Sequence, residues 1–425
     1  MDAVERVIAE RARGPADAAS ARRPASNAAA SLSFMQPGEI GGIVLKNRLV
    51  RAATSETMAT EHGEATDDLV KLYSDLARGG AGLIITGHIY VEPRGQYEPR
   101  QLGLDRDSRI APLARVTEAV HRHGGVIFAE LSHAGSQSLN PAIEPLAPSI
   151  VPNAIFARPP AEMTDADIRS VVADFGAAAA RAKRAGFDGI HLHSGNGYLL
   201  SQFNSPHTNR RRDRWGGDAQ KRAQFITDVY GAVRETTGSD FPITARLGLA
   251  DAVSGGLTLA DGLLIARQLA TQGLAALEVT YGVMTSYREN IRPYAGTGRR
   301  RAITSGMLHR TFSAPVPEAY YRPFARAAKA ALNIPVILVG GLRSTQMMDD
   351  IVRSGEADFL AMARPFVREP DLVNKIAAGR RGPVDCVSCN ICFLHEGIDP
   401  LRCWRTPSAM LAHVYRHYLK SASGH

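Results

Sequence analysis

Between Gly189 and Phe203 the chain reads GIHLHSGNGYLLSQF. His191, His193, Asn196 and Tyr198 fall within eight positions, where an apolar-flanked strand gives way to a glycine-punctuated turn. Three chemistries fit such a cluster. Two histidines at i and i+2 share a strand face and can ligate zinc. A histidine and an amide at one strand end can aim donors at a single carbonyl oxygen. Polar side chains can also do no more than satisfy a loop backbone.

A second cluster is made of sulfur. CVSCNIC and a later cysteine place Cys386, Cys389, Cys392 and Cys403 in the spacing C-x2-C-x2-C-x10-C, and these are the only four cysteines of the chain. Thiolates so spaced can hold a [4Fe–4S] cluster or zinc. With no cysteine elsewhere to pair with, they are not a disulfide framework, and a reducing, cytoplasmic setting is expected.

Strands are needed to position the first cluster, and eight are legible. They are LVRAAT (49–54), GLIITGH (82–88), VIFAEL (126–131), GIHLH (189–193), PITARL (242–247), ALEVTYG (276–282), PVILVGG (335–341) and FLAMAR (359–364). Helical periodicity separates several of them. DDLVKLYSDLARGGAG ends in glycines; DADIRSVVADFGAAAARAKRAGFDG starts from a Thr-Asp cap and stops at Gly186. TLADGLLIARQLATQG and STQMMDDIVRSGEAD repeat the pattern. Short buried strands alternating with amphipathic helices predict an α/β fold, a parallel (β/α)8 TIM barrel. An open doubly wound sheet competes, but no dinucleotide-binding fingerprint is present.

A barrel keeps its chemistry at the C-terminal ends of its strands. Polar, glycine or arginine residues do close seven of the eight: Thr54–Ser55, Gly87–His88, Glu130 to His133, His193 to Tyr198, Arg246, Gly340–Gly341 and Arg364. One such coincidence is weak; seven point to a site. Two segments exceed the bare barrel: a Pro-rich loop over 134–160, and a long insertion after the sixth strand, 283–316. The insertion, with Tyr281, Tyr287, Arg288 and Arg292, is expected to shape the entrance.

Composition narrows the classes. Of 425 residues 44% are hydrophobic and 22% charged, which suits a globular protein with ample core. No apolar run reaches the ~20 residues of a membrane span. The net charge of +8 is partly local, in RRRDR (210–214) and RRR (299–301). Without a basic stripe or motif it argues for a phosphate-bearing small molecule rather than nucleic acid. Residues 1–31, rich in Ala and Arg, read as a disordered tail. The expected organisation is that tail, a barrel over 32–383 and a cysteine-containing extension over 384–425.

The ordered motifs make the chain resemble the old yellow enzyme family of FMN-dependent NADH:flavin oxidoreductases, nearest the 2,4-dienoyl-CoA reductase-like branch. The likeness covers about residues 32–405. It rests on LKNRLVRAATSE (45–56), AELSHAG (129–135), HSGNGYLLSQFNSPHTNRRRDRWGG (193–217), VGGLRS (339–344) and ARPFVREPDL (363–372).

The resemblance implies an ene-reductase or dehydrogenase that binds FMN, takes hydride from NAD(P)H and reduces an α,β-unsaturated carbonyl. In that reading His193 and Asn196 hold the substrate carbonyl and Tyr198 donates the proton. Ala53, Thr54 and Gly87 meet the flavin ring through backbone groups, and Arg246 meets its pyrimidine edge. Gly340, Gly341, Ala363 and Arg364 bind the phosphate, with Ala363 standing where Gly is usual.

Two residues depart from the pattern. Ser55 replaces a usual Cys or Thr near flavin O4. Glu130 replaces a Gln that offers both donor and acceptor to the flavin's pyrimidine edge, so in that cofactor-binding place it either lowers the flavin potential or is held protonated. That branch has a cluster at its cysteines, typically with three residues in the second gap and with a further flavin and nicotinamide domain behind it. Cluster, zinc and no metal are therefore all open here. A metal-dependent barrel hydrolase built on His191 and His193 is the alternative function, and a non-catalytic flavin barrel a third. Small-molecule substrates are expected, without nucleic-acid or membrane partners; homo-oligomerisation is left open.

Overall fold

The computed structural model describes residues 32–152, 158–283, 318–388, 392 and 395–404. The tail 1–31, nearly all of the insertion after the sixth strand, and Cys389 lie outside the described residues.

Eight parallel strands close on one another: β1 (Leu49–Arg51), β2 (Leu83–Tyr90), β3 (Ile127–Ser132), β4 (Gly189–Ser194), β5 (Ile243–Ala250), β6 (Ala276–Tyr281), β7 (Val336–Val339) and β8 (Phe359–Met362). Each pairs with its neighbour in sequence, and β8 returns to β1 through Leu360↔Leu49. The predicted (β/α)8 barrel is the observed fold. All eight strands were legible because a strand buried on both faces is a short run of Val, Ile, Leu and Ala.

The helices α1 (Asp67–Arg78), α2 (Ile110–His121), α3 (Asp165–Arg184), α4 (Gln224–Thr237), α5 (Leu259–Thr271), α6 (Arg322–Ala331), α7 (Thr345–Arg353) and α8 (Leu372–Ala377) follow the strands in turn. Four start on a hydroxyl cap. Thr66, Thr164, Thr258 and Ser344 each accept a bond from the backbone N–H three residues on. Asp167 returns the favour to Thr164 and completes a capping box. Each cap stabilises its helix by about 1 kcal/mol.

An antiparallel hairpin (Gly38–Ile40 with Ile43–Leu45) supplies Ile40 and Leu45 to a buried cluster with Val50, Ile85, Phe128, Ile337 and Phe359 from the strands. The lower barrel is thus filled with hydrocarbon, and polar residues gather nearer the other end. The Pro-rich loop contains a two-residue parallel pairing, Leu146–Ala147 with Ala161–Glu162. Beyond the barrel the chain folds back: Gly397 N–H donates to Thr57 Oγ1 (3.0 Å) and Leu401 N–H to the Glu56 carbonyl (2.9 Å).

Candidate active site

Strand register builds the centre of the site. Glu130 on β3 lies opposite His191 on β4, and His193 lies opposite Arg246 on β5. Arg246 in turn lies opposite Glu278 on β6. Paired residues share a face, so these side chains converge inside the barrel. Arg246 Nε donates to Glu278 Oε1 at 2.6 Å, and its Nη1 stands 3.8 Å from Glu130 Oε2. Burial opposes charge on this guanidinium, but Glu278 and then Glu130 hold its pKa above the ordinary value. Glu130 is 1% exposed. Burial pushes its carboxyl up to about 8, against the pull of Arg246 and with the further push of Glu278. That shift favours the neutral acid at pH 7.

Past β4 the chain turns sharply. Asn196 takes a positive φ of 56° and Gly197 one of 81°. Their N–H groups donate to the carbonyls of Tyr281 (3.1 Å) and Gly282 (2.6 Å), which ties the turn to the end of β6. Asparagine is among the few side chains that tolerate this conformation. Tyr198 then starts a short helix, Leu199–Asn204, and its ring packs 4.4 Å from that of His193. Burial holds His193 well below the usual imidazole pKa, helped by the charge of Arg246. Burial also holds the Tyr198 phenol well above its ordinary value, helped by the negative charges of Glu396 and Glu98. At neutral pH the site therefore offers a neutral imidazole and a protonated phenol.

Beside this trio opens a pocket with about 730 Å³ of empty space, partly solvent. Ala53, Asn196, Arg246, Gly340, Gly341, Ala363 and Arg364, all expected site residues, line it. Gly340 (φ 101°) and Gly341 (φ 73°) are in the left-handed region. Such consecutive glycines turn backbone N–H groups toward an anion. A Cβ on Gly340 would come within 2.6 Å of the Tyr320 ring. Replacement of Gly340 by Ala is expected to weaken FMN binding about tenfold or more, given the ~1–3 kcal/mol cost of such a backbone; quenching of flavin fluorescence during reconstitution measures it.

Other expected residues are placed differently. Gly87 N–H is spent on Glu56 Oε1 (2.6 Å) and Tyr73 Oη (2.9 Å), so only its carbonyl is left for a ligand. Thr54 Oγ1 donates to the Ala52 carbonyl at 3.0 Å. Ser55 Oγ donates to Glu98, as does Thr57 Oγ1 at 3.1 Å. The Ser55 proton is thus directed to a buried carboxyl that burial pushes up to about 7.

Sequence reasoning missed several residues. Thr280, Tyr320, Tyr321 and Ser388 also line the pocket. Tyr97 was missed too; with His88, a strand-end residue already noted, it walls the space around Tyr198, their ring centroids 5.5 and 5.2 Å away. Gln101 Nε2 donates to His88 Nδ1 at 2.8 Å, which leaves His88 Nε2–H as the free face of that ring. Glu278 had a visible signal, a lone carboxylate in the apolar strand ALEVTYG. Tyr320 and Tyr321 had none, because they come after the long insertion.

The described residues lend the metal expectations no support. Among the described residues no three His, Cys, Asp or Glu side chains stand together as a metal site. Cys386, Cys392 and Cys403 form no disulfide with one another, and Cys389 lies outside the described residues. Neither the [4Fe–4S] cluster nor the hydrolase built on His191 and His193 is supported; His191 Nδ1 is taken instead by Thr244 Oγ1 at 2.8 Å.

The profile of the NADH:flavin oxidoreductase / NADH oxidase family matches residues 33–382. The chain belongs to this family. It is 34% identical over 391 residues to the NADH oxidase of Thermoanaerobacter brockii, covering 90% of this chain and 57% of that protein. It is 35% identical over 379 residues to the 4,4'-dithiodibutanoate disulfide reductase of Rhodococcus erythropolis, covering 85% and 92%. A metal reductase of Desulforamulus reducens is 36% identical over 361 residues, 84% of this chain and 50% of that one. The chain thus spans about half the length of the NADH oxidase and the metal reductase.

Two solved structures share the fold at 24% identity. A 2-naphthoyl-CoA reductase complex aligns with TM-score 0.77 over 89% of this chain and 57% of its own. An old yellow enzyme homologue from Zymomonas mobilis aligns with TM-score 0.68 over 84% and 96%. Among the described residues no helix is long and apolar enough to cross a membrane.

Proposed function

We propose that the chain is an FMN-dependent oxidoreductase that uses NAD(P)H to reduce activated alkenes, α,β-unsaturated carbonyl compounds. The observation that carries this reading is the meeting of His193, Asn196 and Tyr198 beside a pocket lined by a glycine pair and two arginines. FMN fits that pocket chemically. Gly340, Gly341 and Arg364 suit its phosphate, and Ala53 leaves room for a flat ring. Arg246 offers a cation to the pyrimidine edge. Bound FMN supplies the hydride-transferring centre.

The protein's own side chains do the rest. His193 and Asn196 donate to the carbonyl oxygen and stabilise the negative charge that grows there, which two preorganised donors do well in a dry site. Tyr198, kept protonated, gives its proton to the α-carbon, for which a phenol is acid enough. The barrel wall of His88 and Tyr97 keeps water from the reacting atoms.

The purified protein is expected to be yellow, with the spectrum of oxidised flavin. NADH or NADPH should bleach it under nitrogen, and an enone should restore the colour. A disulfide of the type named for the Rhodococcus relative belongs in the same panel as a competing oxidant. A folded, colourless protein that takes up no FMN on reconstitution would end this reading.

A further inference from the structure

Four buried polar atoms without hydrogen-bond partners meet inside the barrel: Glu130 Oε2, His191 Nε2, His193 Nδ1 and Glu278 Oε2. Glu130 Oε2 is central. It stands 3.6 Å from His191 Nε2, 3.8 Å from His193 Nδ1 and 3.8 Å from Arg246 Nη1. His191 Nε2 is 3.9 Å from Glu278 Oε2. Each gap is one small side-chain adjustment, or one water, from a hydrogen bond, and buried polar atoms rarely stay unpaired.

The protons in this cluster can be counted. Thr244 Oγ1 has one, which it donates to the Ile190 carbonyl at 3.1 Å. It therefore accepts from His191 Nδ1–H, and His191 Nε2 is a lone pair. His193 is neutral and has a single N–H. If that proton is on Nδ1, it faces Glu130, and Nε2 turns a lone pair toward the pocket. If it is on Nε2, a proton must come to Nδ1 from outside the ring. The partner of one imidazole nitrogen decides what the other can do.

We propose that Glu130 is a positioning residue for the carbonyl-binding pair: as a carboxylic acid it donates from Oε2 to His193 Nδ1, and so commits His193 Nε2–H to the substrate oxygen. The proposal rests on the reading that His193 meets a carbonyl. A carboxylate at the same place would draw the proton to Nδ1 and present the substrate with a lone pair, which repels a carbonyl oxygen. Arg246 keeps its own strong bond to Glu278 and stays 3.8 Å from Glu130, so it does not hold Glu130 ionised.

The acid form persists to about pH 8 and is lost above it. The groups around it are Arg246 on β5, Glu278 on β6, His191 and His193 on β4, and Arg51 on β1 with Glu56 just beyond. His88 on β2 is neutral throughout this range, its pKa lowered to about 3 by burial. Glu98 does titrate nearby, at about 7, so a control must separate the two carboxyls.

The test uses the full chain loaded with FMN and labelled with 15N-histidine, the His193 signal being assigned with His193→Gln. At pH 6.5 His193 should be the Nε2–H tautomer, and above about pH 8 it should switch to Nδ1–H. In Glu130→Gln the amide donates at every pH, so the Nε2–H form should persist to pH 10, while Glu98 still titrates as before. In parallel, cyclohexanone binding, read from the shift in flavin absorbance, should weaken about tenfold from pH 6.5 to 9.5 in the wild type and stay level in Glu130→Gln. His191 Nε2, the nearer lone pair at 3.6 Å, is the competing acceptor for the Glu130 proton; an Nδ1–H tautomer of His193 at pH 6.5, which means that the proton has gone there, or the same switch in both proteins, overturns the proposal. If Glu130→Gln does not fold, Glu98→Gln takes its place as the control: the wild-type switch above about pH 8 should persist in it, and its loss overturns the proposal. If the tautomer behaves as expected but no ketone binds at any pH, the carbonyl reading fails and the Glu130–His193 pairing stands.

Discussion

Replacing His193 with Ala is expected to lower kcat/KM for enone reduction by about 10²–10³-fold, with flavin content and reduction by NAD(P)H little changed. The loss should appear in kcat as well as KM, because the donor gains strength as charge develops on the carbonyl oxygen. Asn196→Ala should show the same pattern. A structural role for His193 would leave a different signature. Its ring packs against Tyr198 and His88, so lost packing would disturb the fold and the flavin spectrum before it slowed reoxidation. Stopped-flow kinetics of the two half-reactions separate these outcomes. A slowed reductive half-reaction with normal reoxidation by enone would contradict the assigned role.

Arg246→Leu is expected to be the most damaging substitution for the fold itself. The guanidinium is nearly buried and bridges Glu278 at 2.6 Å. Glu278 is fully buried, and its Oε2 already lacks a partner. Removing the cation leaves an acid with no counter-charge inside the barrel, a change that costs about 3–5 kcal/mol. Urea denaturation of the FMN-free protein measures it. Arg246→Leu should also abolish FMN uptake. Arg246→Lys should restore part of the stability but little of the affinity, since an ammonium lacks the planar fork. The double substitution Arg246→Leu/Glu278→Leu should be more stable than Arg246→Leu alone, because no unpaired acid is left at that position. An Arg246→Leu protein as stable as the wild type would show that this pair carries no structural weight.

The sequence and the structure agree on the scaffold for a simple reason. Strand runs such as PVILVGG and caps such as Thr164 act over a few residues, so local chemistry is enough to read them. The left-handed turn at Asn196–Gly197 belongs to the same class, since few residue types tolerate it. The fate of Ser55 does not. It depends on Glu98, brought to it from a loop after β2, and on a returning segment at Gly397 that closes over Thr57. Arg246 was legible as a cation near the flavin site. Its bond to Glu278 was not, because the two are joined only by the register of β5 and β6.

The sequence alone determined that eight buried strands would alternate with helices, and which strand ends would carry His193, Asn196, Tyr198, Arg246 and the glycine pair. Residue type and spacing suffice for that, since both are local. Only the tertiary structure decided what state those groups are in. The Glu130 carboxyl is pushed up to about 8 because the closed barrel removes it from water. The cost of burying charge is a property of everything packed around a group, and no short stretch of chain contains it.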